Sequence, residues 1–508
     1  MSPPIHFIPT ETLANIFICV LDAENQLLPM RRALLPPALL LRSVCQRWHA
    51  VAEDTSALWP DLVGPYGLEW TRRALLWSKN CSLDIYLCNN EHLSRRITDW
   101  DASIPLVLAE MHRAQKLVIE CDHWDSARIV RQALLPYLPR LVELYIDGKY
   151  AGAPDETSFA GETPDRLKYL TLNSCTISPM CPMFRAPLTS LKLNGCLIWT
   201  SMDEFMHALS RLPHLEIFEW AVYFWTDEET VATLPLAAST ESNPHMVHLP
   251  CLQSIKISAQ IEVITYLFTH VTLPASCSAV IDADTNQIGT EEMQELLSSL
   301  DSAFAKLLRA AFPDDDPNTG YGSLTIDTFQ AEIPEGVSFA WSRPTTRTAP
   351  PHFHLAFLPP HDHDGHAHPD LLLIACHILN NWPAAHRALV QLRNEHPTFF
   401  HTEPDSIYPE DQPWAQILRP LRSVEYLETH HTIHGLADAL AIRHPNIILP
   451  RLQHVTIRDT GVSSADIGDL ASALKTHRQT DSGVILPHPT LRIKDCYLDG
   501  MAFKAFIG

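Results

Sequence analysis

The sequence predicts an α/β fold, with an N-terminal module of three helices followed by an irregular solenoid of strand–helix units that carries a central insertion. Three observations support this. Two apolar stripes of helical period lie within residues 1–63, one short pattern recurs from residue 141 onwards, and that pattern lapses between residues 275 and 369. At 508 residues the chain is too long for one ordinary core, which suits several domains or an elongated array.

In the first stripe, Leu13, Ile16, Phe17, Val20 and Leu21 repeat every three to four residues, the signature of an amphipathic helix. Ile8-Pro9-Thr10-Glu11 opens it: Pro9 suits the first turn, and Glu11 sits near the positive end of the helix dipole. In the second, Leu41, Val44, Cys45, Trp48 and Val51 form one face, so a single helix is expected from Leu41 until Asp54-Thr55-Ser56, residues that favour caps and turns. Leu58 and Trp59 add an apolar anchor. Asp22 to Pro37, with Pro29, Pro36 and Pro37, reads as a long connection between the two stripes. Helices this short are marginal alone, so the pair must dock on each other and on something else.

Beyond residue 64, Glu69 to Lys79 reads as a connecting helix and Ser82 to Leu87 as a strand. Then Leu167-x-x-Leu170-x-Leu172-x-x-Cys175-x-Ile177 matches Leu188-x-x-Leu191-x-Leu193-x-x-Cys196-x-Ile198 position for position. This is the leucine-rich-repeat spacing. Looser copies begin at Leu141, Leu215, Leu252 and Leu452, and Leu491-x-Ile493-x-x-Cys496-x-Leu498 restores the cysteine. In each, the LxL pair points inward from a short parallel strand, the cysteine tucks in where the chain turns away, and only a stacked neighbour can cover the open face. Ser201-Met202-Asp203-Glu204 and Thr226-Asp227-Glu228-Glu229 read as capping boxes of intervening helices. Phe205, Leu209 and Leu212 share one helix face, and Ile467, Leu470, Ala471 and Leu474 share another after Ser464. Successive copies lie 21, 26 or 37 residues apart (Leu170–Leu191, Leu144–Leu170, Phe218–Ile255), so the units differ from one another. The expected organisation is 1–63 helical module, 64–80 connecting helix, 81–274 repeats, 275–369 insertion or divergent repeats, and 370–508 repeats.

Within 275–369, Met293, Leu296, Leu297, Leu300, Phe304, Leu307 and Leu308 mark a long amphipathic helix after Thr290. Phe339-Ala340-Trp341 and Phe353 to Phe357 are strand-like. His352, His354, His361, His363, His366 and His368, interleaved with Asp362 and Asp364, are the sharpest candidates for metal ligation. Pro359, Pro360 and Gly365 make that stretch a surface loop without the held ligands a structural site needs, so no metal or cofactor is assigned.

The formal net charge is -22, of which residues 1–63 contribute four Lys/Arg against six Asp/Glu, or -2, leaving -20 for the rest. An acidic body argues against nucleic acid or an anionic membrane as the main partner. Twelve cysteines without a CxxC pair suit reduced thiols in the cytoplasm or nucleus. No apolar run approaches the ~20 residues of a membrane helix, and no basic n-region opens the chain. GxSxG, HExxH, P-loop and dinucleotide fingerprints are missing, so no catalytic residue is assigned. Tyr223, Phe224 and Trp225, after a repeat strand, are either a binding cluster or a buried turn.

The run Ile8-Pro9-x-Glu11-x-Leu13-x-x-Ile16-Phe17, then Leu41-x-x-Val44-Cys45-x-x-Trp48 and Leu58-Trp59, resembles an F-box. With the repeats behind it, the chain is similar to F-box proteins of mushroom-forming fungi. That resemblance implies docking on the Skp adaptor of a cullin-based (SCF-type) ubiquitin ligase through Ile8, Pro9, Leu13, Ile16, Phe17, Leu41, Val44, Cys45, Trp48 and Trp59. It implies a non-catalytic receptor whose repeats recruit a target protein. The alternatives are a repeat-based scaffold outside any ligase, which the long Asp22–Pro37 connection keeps open, and a metal-dependent hydrolase built on the histidines.

Overall fold

The computed structural model describes residues 7–27, 37–63, 66–88, 100–120, 126–148, 154–196, 198–222, 246–285, 290–311, 321–329, 336–342, 352–358, 371–395, 413–430, 433, 435–442, 447–477, 488–498 and 501–507. The fold is mixed α/β with a long, mostly parallel sheet. It divides into two compact units, one of residues 1–217 with 224–235, the other of 218–223 with 236–508. Among the described residues no helix is long and apolar enough to cross a membrane, and no cluster of His, Cys, Asp and Glu could hold a metal ion.

The first unit opens with three helices, α1 (Thr10–Leu27), α2 (Pro37–Ser43) and α3 (Gln46–Asp54). Pro9 stands just before α1, where its carbonyl accepts from the Leu13 N–H at 3.0 Å. The chain expected to leave the helix at Asp22 stays helical to Leu27. The single helix expected from Leu41 is two, because the backbone is extended at Cys45 (φ -162, ψ 169). The reason lies in what the break brings together. Arg42 donates from Nε and Nη2 to Glu53 Oε1 at 2.9 and 2.6 Å. In one continuous helix those residues would stand roughly 16 Å apart along the axis. Val44 and Cys45 are also weak helix formers, so interruption there costs little.

Two short turns, Ser56–Leu58 and Pro60–Leu62, lead to α4 (Leu68–Trp77). Trp77 packs on Trp59 at a centroid distance of 4.5 Å and lies under the Arg42 guanidinium at 5.1 Å. Beyond α4 run five parallel strands in chain order: β1 (Leu83–Cys88), β2 (Ala114–Glu120), β3 (Glu143–Asp147), β4 (Tyr169–Asn173) and β5 (Ser190–Asn194). Their inward side chains form two buried rows, Ile85-Leu117-Leu144-Leu170-Leu191 and Leu87-Ile119-Ile146-Leu172-Leu193. The helical module is joined to this sheet through Val63, which bridges Ile85 in parallel, and the end of α4 is tied to the start of β2 by Arg113, which donates to Cys81 O at 3.1 Å and Ser78 Oγ at 2.9 Å.

The phased cysteines have a definite task. Cys175 Sγ donates to Ile146 O and Cys196 Sγ to Leu172 O, each reaching a carbonyl of the preceding strand. The residue before each takes the left-handed conformation, Ser174 at φ 52 and Gly195 at φ 60. On the outward face, Asn194 Nδ2 donates to Asn173 Oδ1 at 2.9 Å, and Asn173 Nδ2 donates to Asp147 Oδ2 at 3.2 Å. This polar ladder satisfies side chains that the LxL spacing left unassigned. Ser201 caps the helix Met202–Ser210 by accepting from Glu204 N, while Glu204 Oε2 accepts from the N–H and hydroxyl of Thr200. The second expected box, Thr226 to Glu229, lies outside the described residues, as do Tyr223, Phe224 and Trp225.

The second unit begins in β6 (Ile217–Ala221), where Phe218 and Trp220 are buried, and includes the minor pair β7 (Val247–His248) and β9 (Val271–Thr272). Its main strands are β8 (Ser254–Gln260), β10 (Ser278–Asp284), β11 (Ser323–Phe329), β12 (Gly336–Ser342) and β13 (His352–Leu358). They are followed by β14 (Gln391–Glu395), β15 (Tyr426–His430), β16 (His454–Arg458), β17 (Gly461–Val462), β18 (Thr490–Leu498) and β19 (Met501–Ile507). Neighbours run β8-β10-β13-β12-β11-β14-β15-β16-β18-β19, with β12 and β19 alone antiparallel to the strands beside them. Residues 275–369 therefore feed strands into the sheet itself, folding back as a β11-β12-β13 meander beside β10. The long helix Thr290–Ala311 covers it through Phe304, whose ring lies 4.6 Å from Phe268, 5.5 Å from Phe353 and 5.4 Å from Trp382.

Candidate docking site on the N-terminal helices

Of the ten residues singled out in the helical module, three are buried, four are exposed and three, Ile8, Leu41 and Trp48, are half-buried. Leu13, Phe17 and Trp59 are buried and hold the helices together. The Phe17 ring lies 4.8 Å from Trp48, itself half-buried, and Trp59 Nε1 donates to Ala52 O at 2.9 Å. A tryptophan inside a core needs such an acceptor, and this bond fixes the ring against the end of α3. These three belong to the part of the motif that holds the helices together. The reason is the helical period: on α1, Leu13 and Phe17 are four residues apart on the inner face.

The exposed four face outward. Ile16 is 41 % exposed and Val44 59 %, while Pro9 and Cys45 are exposed too. Ile8 and Leu41 are half-buried, and the Ile8 carbonyl accepts from the Arg47 guanidinium, which ties the start of α1 to α3. Three further apolar side chains join the outward set: Phe7 (79 % exposed), Val20 (38 %) and Leu40 (51 %). Val20 sits one turn beyond Ile16, and its period was visible in the sequence. Leu40 belongs to the run Ala38-Leu39-Leu40-Leu41, whose inner and outer members cannot be phased until the start of α2 is known.

The break between α2 and α3 is what turns Val44 and Cys45 outward. A continuous helix would have carried Val44 on the same face as Trp48 and Val51, into the core. Instead Val51 and Ala52 are buried while Val44 stands clear. Single exposed apolar residues are ordinary on any surface. Here five of the larger ones, Phe7, Ile16, Val20, Leu40 and Val44, all belong to the module of residues 1–63, beside a buried set of Leu13, Phe17 and Trp59. Apart from the Cys45 thiol, the exposed side chains of this set are apolar, and the chemistry they support is apolar association.

The histidine stretch divides differently. His361, His363, His366 and His368 lie outside the described residues, and of His352 only the backbone, in β13, is described. His354 Nδ1 stands 4.0 Å from Asp282 Oδ1, and burial lowers its pKa despite that neighbour. No protein-family model matches the sequence, and no curated protein matches it either.

Proposed function

We propose that this chain is the substrate receptor of an SCF-type ubiquitin ligase. In this reading residues 1–63 are an F-box that docks the Skp adaptor, and the strand–helix units behind it are leucine-rich repeats that recruit a target protein. The observation that carries the reading is the outward apolar set Ile16, Val20, Leu40 and Val44 beside the buried Leu13, Phe17 and Trp59. Covering such side chains is worth about 1.5–3 kcal/mol each when burial is complete, so a partner helix laid on them gains a useful affinity.

The repeat half of the reading is supported by the two continuous apolar rows from β1 to β5 and by cysteines that reach back one strand to a carbonyl. The chain then does no covalent chemistry of its own. It raises the effective concentration of a target's lysines near the charged conjugating enzyme, an entropic contribution.

The test is reconstitution of the full chain with a Skp adaptor and its cullin. Co-elution of all three supports the receptor. Adaptor binding that excludes cullin supports the scaffold outside a ligase. An Ile16→Asp, Val44→Asp variant that still co-elutes with the adaptor overturns the assigned surface.

A further inference from the structure

We propose that the outward face of β14, β15, β16 and β18 docks an extended acidic peptide segment of the protein's partner. This rests on the receptor reading only in supplying the reason for a partner, since the binding itself is a property of the second unit. The two inward positions of each strand belong to the core, so the alternate residues face out. Cross-strand pairing sets these into rows. Arg393, Glu428, Thr456 and Arg492 form one, and His430, Arg458 and Lys494 form the next.

Four cations stand in these rows with one described carboxylate between them, Glu428; Glu395 closes β14 two residues after Arg393, and the exposed Asp459 and Asp495 follow Arg458 and Lys494 in the chain. Glu428 Oε1 stands 3.5 Å from Arg393 Nε, 3.2 Å from Arg458 Nε and 3.1 Å from His430 Nε2. His430 Nδ1 is in turn 3.3 Å from Asp459 Oδ2. Glu428 is largely covered at 16 % side-chain exposure, whereas Arg393 and Arg458 keep 41 % and 34 %. One buried carboxylate thus anchors two guanidinium stems from below. Each guanidinium has five N–H donors in a planar fork suited to carboxylates. Arg492 is exposed and Lys494 half-buried. Beside the rows, the exposed Tyr426 ring stacks on His454 at 4.7 Å and provides a flat apolar neighbour.

The described side chains of these two rows are mainly cationic, in a chain whose net charge is -22. This face also differs from the outward face of the first unit, where Asp84, Glu120, Glu143 and Asp147 outnumber Lys116 and Lys192. At physiological salt, charges more than about 8 Å away are largely screened, so an approaching segment senses the local rows rather than the total. Rows two residues apart along a strand are separated by about 6.6–6.8 Å. An extended peptide places alternate side chains at the same interval, so acidic residues at every second position match both rows.

The experiment uses the full chain and a fluorescein-labelled peptide of six Glu-Ser repeats, followed by fluorescence anisotropy, with Gln-Ser and Lys-Ser peptides as controls. The expected result is saturable binding of the Glu-Ser peptide alone, weakening with added salt. Arg393→Gln with Arg458→Gln should weaken it roughly tenfold or more, as loss of two charge-assisted donor forks requires. Because that pair shares Glu428, a second variant, Arg492→Gln with Lys494→Gln, removes charge without touching the Glu428 anchor and should also weaken binding. Lys192→Gln should leave it unchanged. No saturable binding by the intact chain, equal binding of the Gln-Ser peptide, or equal weakening by Lys192→Gln would overturn the proposal. Adaptor binding by the same variants should be intact, so failure here is distinguishable from failure of the receptor reading.

Discussion

Replacing Phe17 and Ile16 by alanine, one at a time, separates the two faces of α1. Phe17 is fully buried with its ring 4.8 Å from Trp48, so Phe17→Ala opens a cavity between α1 and α3. Such truncations cost about 3–5 kcal/mol. Ile16, 41 % exposed one residue earlier, loses only part of a burial term and gains helix propensity, so Ile16→Ala should cost under about 1 kcal/mol. Hydrogen exchange followed peptide by peptide reads this directly, because opening of α1 scales with its local stability. The expected acceleration over residues 10–27 is roughly a hundred- to several-thousand-fold for Phe17→Ala and under about fivefold for Ile16→Ala. Equal acceleration by both variants would refute the division of α1 into a core face and a free face.

Three further outcomes concern the strand–helix units. His386 is buried beside Trp341, at 6.2 Å between rings, and burial pushes its imidazole down to about 4. A depressed histidine pKa means the unfolded chain binds more protons between that value and about 6.5, so stability is present above that window and is lost as pH falls through it. Between pH 7 and pH 5 the loss is about 2 kcal/mol, and urea midpoints should show that His386→Phe lacks it. Asp84 runs the other way: burial, then the neighbouring Asp61, raise its carboxyl against the pull of Lys116, so stability it contributes is lost as pH rises. Asp84→Asn should therefore flatten the opposite slope, and unchanged pH profiles in both variants would contradict these assignments. At the helix Ser464–Thr476, Ser463 and Asp466 form a reciprocal capping box, so Ser463→Ala should cost about 1 kcal/mol and Ser464→Ala much less, as measured by thermal or urea unfolding.

The last of these shows how far sequence reasoning reached. The helix after Ser464 was visible from Ile467, Leu470, Ala471 and Leu474, but the cap is Ser463, one residue earlier, because Asp466 three residues on reaches back to it. The LxL copies with apolar residues at both inward positions are strands with buried side chains. Strand β14 escaped because its second inward residue is Asn394, polar yet buried and set beside Thr429 of β15. The insertion was legible as helix and strand segments but not as part of the sheet, since pairing of β10 with β13 joins residues more than seventy apart in sequence. In the helical module the period located the stripes, and the Arg42–Glu53 pair decided where the second one breaks. The basic rows of the second unit were invisible for a related reason: Arg393, Arg458, Arg492 and Lys494 meet only through strand register.

The central claim is that the outward apolar face of α1 and the α2–α3 junction is covered by a Skp-type adaptor. Calorimetric titration of a purified Skp adaptor into the full chain measures it most directly. The account predicts one-to-one binding that Ile16→Asp with Val44→Asp weakens by roughly a hundredfold or more, while the thermal midpoint of the free chain holds. Absence of binding by the intact chain, or equal affinity in the double variant, would contradict it.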